Sequence, residues 1–213
     1  MVNRFYILLL LLMPLAVMAV EYPDSALYQG LNVKLDLGNT VFEPARSKGR
    51  IQSFEAAVNA DLMHRYFPTA EIGIAHADLA AQSGAFLGTG AFLRLGVDLS
   101  ALRKKRAENM LLVGVRLGTA VQGCSTRDVW LGNDYWGRYT VNYLSRVRAD
   151  MWGEVTAGVQ VKVYKSFHMG WYVRYKVLFT RGKTGTLTAY YIPGYGYKDD
   201  TSFSFNYYLG WRM

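Results

Sequence analysis

Eight stretches of the chain alternate with a period of two, the pattern of strands with unlike faces. Leu31–Gly38 sets Leu and Val against Asn32, Lys34, Asp36 and Gly38. Phe54–Leu62 sets Phe54, Ala56, Val58, Ala60 and Leu62 against Glu55, Asn59 and Asp61, and Ala70–Ala75 opposes Ile72 and Ile74 to Glu71 and Gly73. Two further stretches run from Gly90 to Leu99, with Arg94 and Asp98 on the polar face, and from Leu111 to Gly118, with Arg116 there. The last three are Trp152–Val163 (Glu154, Lys162), Trp171–Phe179 (Arg174, Lys176) and Ser202–Arg212 (Arg212). In none of the eight does a charge fall on the apolar face. The pattern predicts an all-β fold, a closed antiparallel up-and-down barrel of eight strands.

Alternation does not say which face is inside, because a soluble barrel and a membrane barrel use it in opposite senses. Several stretches reach the roughly 9–11 residues a membrane strand needs, where soluble strands average about 5–6. Glycine gathers on the polar face (Gly73, Gly90, Gly96, Gly114, Gly118, Gly158), which suits a crowded interior with large neighbours. The same face carries six acids (Asp36, Glu55, Asp61, Glu71, Asp98, Glu154) and seven bases (Lys34, Arg94, Arg116, Lys162, Arg174, Lys176, Arg212). A base turned to lipid near the midplane costs about 2–4 kcal/mol, so in a membrane these residues point inward, as an ion-pair network filling the lumen. Alternate connections differ in length. Met63–Thr69, Ser100–Glu108 and Tyr164–Phe167 are short, whereas Ala120–Asp150 and Arg181–Asp199 are long, as outer-membrane barrels show. Within Ala120–Asp150, Val129–Leu131 and Tyr139–Leu144 are placed as the arms of an extracellular hairpin around Asn133–Gly137; a ten-strand barrel is the alternative.

The N-terminus supplies the compartment. Arg4, the apolar run Ile7–Met13 and the small residues Val17 and Ala19 read as a secretory signal, residues 1–19, cleaved in the mature protein. Residues 20–30 are then a short periplasmic segment and 31–213 the barrel. The 213 residues carry 24 Lys+Arg against 16 Asp+Glu, and half are apolar, which excludes a disordered chain. One cysteine, Cys124, excludes a disulfide scaffold and cysteine-based zinc sites. Three scattered histidines make no metal site, and no cofactor is expected.

At this point the chain resembles the small eight-stranded outer-membrane barrels of Gram-negative bacteria, the OmpA-barrel, OmpX and OmpW class. It is also similar to uncharacterised outer-membrane barrel families of Bacteroidota. The closing Phe203-x-Phe205-x-Tyr207-x-Leu209-x-Trp211 is similar to the aromatic last-strand signal read by the barrel-assembly machinery, except that Arg212 and Met213 follow. The resemblance implies a bacterial outer-membrane location with both termini periplasmic, and that machinery as a partner during biogenesis.

An eight-stranded barrel is just wide enough to be filled by side chains, and with Phe92, Trp152, Tyr172 and Tyr208 inside, a general porin is rejected. Three functions remain open. In the first, the protein is structural or binds at the surface. Trp130, Trp136, Arg138, Arg146 and Arg148 of the long loop, with Arg46, Lys48 and Arg50 of the first, form an aromatic and basic surface of the kind interfaces enrich. It suits outer-membrane lipid and lipopolysaccharide phosphates, in a monomer that binds no nucleic acid. In the second, His76, Asp78 and Ser83 at the rim supply a base, an orienting acid and a nucleophile for lipid A modification. The third is a soluble periplasmic lipocalin-like barrel with an apolar cavity.

Overall fold

The computed structural model describes residues 27–81, 84–102, 109–133, 137–180 and 190–213, with side chains left out at 81, 84, 128–139, 141 and 143–146. Eight long strands close into one barrel: β1 (Tyr28–Asp36), β2 (Ile51–Leu62), β3 (Tyr66–Ala81), β4 (Gly84–Ser100), β5 (Met110–Asn133), β6 (Gly137–Tyr164), β7 (Phe167–Leu178) and β10 (Thr201–Arg212). Each pairs antiparallel with its neighbours in the order β1-β10-β7-β6-β5-β4-β3-β2. Two short strands, β8 (Tyr191–Ile192) and β9 (Gly196–Tyr197), form a separate hairpin between β7 and β10.

The faces are inverted relative to a soluble protein. Leu95 (53 % exposed), Val115 (60 %), Leu117 (61 %) and Phe203 (68 %) stand outside, while Glu55, Glu71, Arg94, Arg116, Glu154 and Arg174 are each no more than 3 % exposed. Leu93 and Phe205 also face out rather than meeting in a central apolar pocket. The soluble lipocalin arrangement is therefore overturned, because the interior is ionic. The outside is the apolar surface that a membrane-spanning barrel presents to lipid, with the eight strands closed into a ring at the level of β1.

The strands run longer than their alternation marks. Strand β1 starts at Tyr28, ahead of the expected boundary at residue 31, and ends at Asp36, where the chain turns into a π-helical turn (Gly38–Phe42) and a short helix α1 (Glu43–Arg46). The hairpin expected around Asn133–Gly137 is present, but as a continuation of β5 and β6 with pairing up to Asn133↔Gly137, so the barrel has eight strands rather than ten. At about 3.4 Å per residue these strands of 24 and 28 residues reach far beyond any bilayer's span.

At the opposite end, the β2–β3 turn holds Met63 and His64 at positive φ (55° and 53°). Asp61 compensates for that conformation by accepting from the His64 amide at 2.9 Å and meeting His64 Nδ1 at 2.7 Å. Residues 103–108, with the basic run Arg103–Arg106, lie outside the described residues, as do the signal segment and Ser83.

Candidate functional site

The lumen is layered. Toward the end with short turns, Phe67, Met110, Leu112, Tyr172 and Tyr208 form an apolar layer, with Tyr172 and Tyr208 stacked at 5.3 Å. Toward the other end lies a second layer of Phe86, Phe92, Ala120, Cys124, Trp152, Leu178, Ile192 and Tyr195. Between them, alternation on five adjacent strands brings charges to one level: Glu55 on β2, Glu71 on β3, Arg94 on β4, Arg116 on β5 and Glu154 on β6, completed by Arg174 on β7.

These charges pair densely. Arg94 Nη1 lies 2.7 Å from Glu55 and 2.6 Å from Glu71, and its Nε lies 3.1 Å from Glu154. Arg174 Nη1 lies 2.7 Å from Glu71 and 3.3 Å from Glu154. Arg116 pairs with Glu71 and, at 2.8 Å, with Asp98. Glu71 thus receives all three guanidinium groups. Tyr172 and Trp152 donate to Asp98 (2.7 Å) and Glu154 (2.6 Å), holding the carboxylates from the aromatic layers. Buried between the two apolar layers, the pairs lie in a low-dielectric interior and are costly to break.

Not every inward charge joins this cluster. Lys34 is held over the Tyr208 ring at 4.6 Å and the Tyr172 ring at 5.4 Å. Asp36 caps the turn after β1, accepting from the Gly38 and Asn39 amides at 2.7 and 3.2 Å and from Asn206. Lys176 donates to the carbonyls of Gly194 (2.7 Å) and Tyr195 (3.1 Å). Asp61 and Arg212 form a pair of their own at 2.8 Å near the short turns, and half-buried Lys162 lies at that same end. The expected network of thirteen is thus a central cluster of seven, the Asp61–Arg212 pair and four charges placed elsewhere, because strands tilted around a barrel place inward residues at several heights. Taken together, Asp36, Glu55, Glu71, Asp98 and Glu154 balance Lys34, Arg94, Arg116, Arg174 and Lys176, all buried. A cavity beside Lys34, Glu71 and Tyr208 measures about 20 Å³, room for about one water molecule.

The β8–β9 hairpin closes the other mouth, which no sequence pattern announced. Gly194, at φ +74°, turns its carbonyl into the lumen, where Arg94 (3.0 Å) and Lys176 both donate to it; a Cβ there would strike the Phe92 ring. Tyr195 packs edge-on against Trp152 at 5.8 Å and its hydroxyl donates to the Asp199 carbonyl at 2.7 Å. Burial, with Asp199 nearby, pushes that hydroxyl up to about 12, so it stays a donor.

Of the rim residues considered for catalysis, His76 and Asp78 are exposed on the outer face. The Nδ1 of His76 meets Thr89 Oγ1 at 2.7 Å, not Asp78. Ser83 lies outside the described residues, and among these no cluster of His, Cys, Asp or Glu could hold a metal. Of the long-loop surface, the side chains of Trp130, Trp136, Arg138 and Arg146 lie outside the described set, while Arg148 turns back to chelate Asp150 at 2.9 and 3.0 Å.

A sequence model of one protein family matches residues 4–213. The chain belongs to that family, a domain of unknown function designated DUF6048. No curated protein matches this DUF6048 chain. Among solved structures it is similar to Neisserial surface protein A (NspA), with a TM-score of 0.45 and 12 % identity over 87 % of this chain and 99 % of that one. It is also similar to Ail, the attachment invasion locus protein of Yersinia pestis, solved with the heparin analogue sucrose octasulfate (TM-score 0.38, 7 % identity, 87 % and 95 % covered). Both likenesses are of chain path, at identities that carry no function across to the DUF6048 chain.

Proposed function

We propose that the protein is an integral bacterial outer-membrane barrel with a sealed lumen, acting at its extracellular surface as a structural or binding element rather than as a channel. One observation carries this reading: an apolar exterior surrounds a barrel filled by the Arg94–Arg116–Arg174 cluster and two apolar layers. A closed barrel is one of two structures that satisfy every backbone group in lipid, and a lumen so filled leaves no water path. The end with the long β5–β6 hairpin and the β8–β9 hairpin is then extracellular, and both termini are periplasmic. The exposed Lys48 and Arg50 of the first loop suit lipopolysaccharide phosphates. The aromatic β10 face, with Phe203, Phe205 and Trp211 all exposed, suits the barrel-assembly machinery.

The test is fractionation with heat-modifiable gel migration, followed by planar-bilayer recording of the purified protein. The proposal expects a folded band from the outer-membrane fraction that shifts on boiling, and no steady conductance. A protein confined to the soluble periplasm, or a stable open pore, overturns it.

A further inference from the structure

The barrel wall is incomplete at one place. Strand β1 stops at Asp36, opposite Tyr208 of β10, with Leu35 opposite Ala56 of β2. Beyond that level β10 continues through Thr201–Tyr207, paired only with β7, and β2 continues through Ile51–Glu55, paired only with β3. Among the described residues no strand lies between them; the turn 38–42 and helix α1 lean across instead, with the Gly38 backbone packed on Tyr207. Under this bridge is a cavity of about 290 Å³, bounded by α1, the start of β10, the β8–β9 hairpin and Lys176 of β7. Its size is at the lower end of ligand pockets, which run about 300–1,000 Å³.

Its chemistry is particular. Tyr191 and Tyr197 line it with rings, and Tyr197 is 44 % exposed with Tyr190 and Tyr191 set edge-on to it at 5.6 and 6.0 Å. Thr201, Ser202 and Ser204 line it with hydroxyls; those of Ser202 and Ser204 donate to the Tyr195 carbonyl (3.2 Å) and Asn206 Oδ1 (3.4 Å) and keep lone pairs to accept with, while the Asn39 amide donates to Asp36 at 3.0 Å. The charges on its walls cancel: Glu43 pairs with Arg46 at 3.0 Å, and Asp199 offsets Lys176, whose ammonium is held by the Gly194 and Tyr195 carbonyls. An acyl chain would leave the remaining hydroxyl lone pairs without donors, and a polyanion would find no excess of positive charge. A ligand with flat C–H faces for tyrosine rings and a periphery of hydroxyls that donate suits this lining.

We propose that this cleft is a binding site for a neutral sugar ring, either free or at the head of a glycolipid. The placement of the cleft outside the cell rests on the outer-membrane reading above; the site itself does not. Saturation-transfer NMR on the full folded protein in amine-oxide micelles, which contain no sugar, tests it with methyl glycosides of glucose, galactose, mannose and N-acetylglucosamine. A second arm uses nanodiscs with and without rough-type lipopolysaccharide. Signal from a glycoside identifies a free sugar, and an effect of lipopolysaccharide alone identifies a lipid-linked one; either supports the site if Tyr197→Ala weakens binding about tenfold. Ser204→Ala, a smaller change, should weaken it less, and heat-modifiable migration shows that each variant is folded. No response from any glycoside at about 10 mM and none to lipopolysaccharide overturns the proposal, as does binding that folded Tyr197→Ala leaves unchanged. A protein that binds sugar but fractionates outside the outer membrane sinks the localisation and spares the site.

Discussion

Glu71 is the residue on which the ionic layer turns, so replacing it with glutamine is the sharpest test of that layer. The substitution keeps the volume and one carbonyl acceptor but removes the charge that meets Arg94 (2.6 Å), Arg174 (2.7 Å) and Arg116. Breaking one partner out of a buried ion cluster costs about 3–5 kcal/mol. The sum over three arginines is not expected, because Glu55, Glu154 and Asp98 remain to hold the same guanidinium groups. A loss of about 4 kcal/mol lowers the folded-to-unfolded ratio about a thousandfold. Urea titration of the barrel in lipid vesicles, followed by tryptophan fluorescence and heat-modifiable migration, reads this directly. The exposed pair Glu43–Arg46 provides the control, since Glu43→Gln should cost no more than about 1 kcal/mol. A Glu71→Gln loss within about 0.5 kcal/mol of wild type would refute the view that these pairs hold the barrel together.

Other outcomes follow from the same geometry. Val115→Arg, on the outer face between Val97 and Val155, should cost about 2–4 kcal/mol and lower the yield of assembled barrel in the membrane fraction. Gly118→Ala should destabilise by about 1–3 kcal/mol through overpacking, read by the same urea titration, because its Cβ would overlap the buried Trp152 indole. His76→Ala should leave the lipid A profile unchanged by mass spectrometry, since the ring is engaged by Thr89; an altered profile would instead favour the lipid A enzyme.

How much of this was legible in the sequence follows from what alternation can encode. It reports the face of each residue, so Glu71, Arg94 and Arg174 could be assigned to the interior from parity alone. It does not report height along the barrel, which depends on strand stagger, and so parity alone cannot separate Lys34, Asp36 and Lys176 from ion pairs that they do not join. Glycine on the inward face was a sound guide, as Gly118 beneath Trp152 shows. The early end of β1 was hidden because Leu37-Gly38 continues the alternation while the backbone already turns, capped by Asp36. The β8–β9 hairpin was missed for a similar reason. Its two-residue strands are too short for a pattern, and Ile192 and Tyr195 read as loop residues until the lumen receives them.

The central claim is the inversion of inside and outside, and tryptophan provides its most direct measurement. Trp211 is 55 % exposed on the outer face, whereas Trp152 is wholly enclosed in the lumen. Two single-tryptophan proteins, one keeping each of these residues, can be reconstituted in vesicles of brominated lipid. The account predicts strong quenching of Trp211 and little of Trp152; strong quenching of Trp152 with Trp211 spared would contradict it.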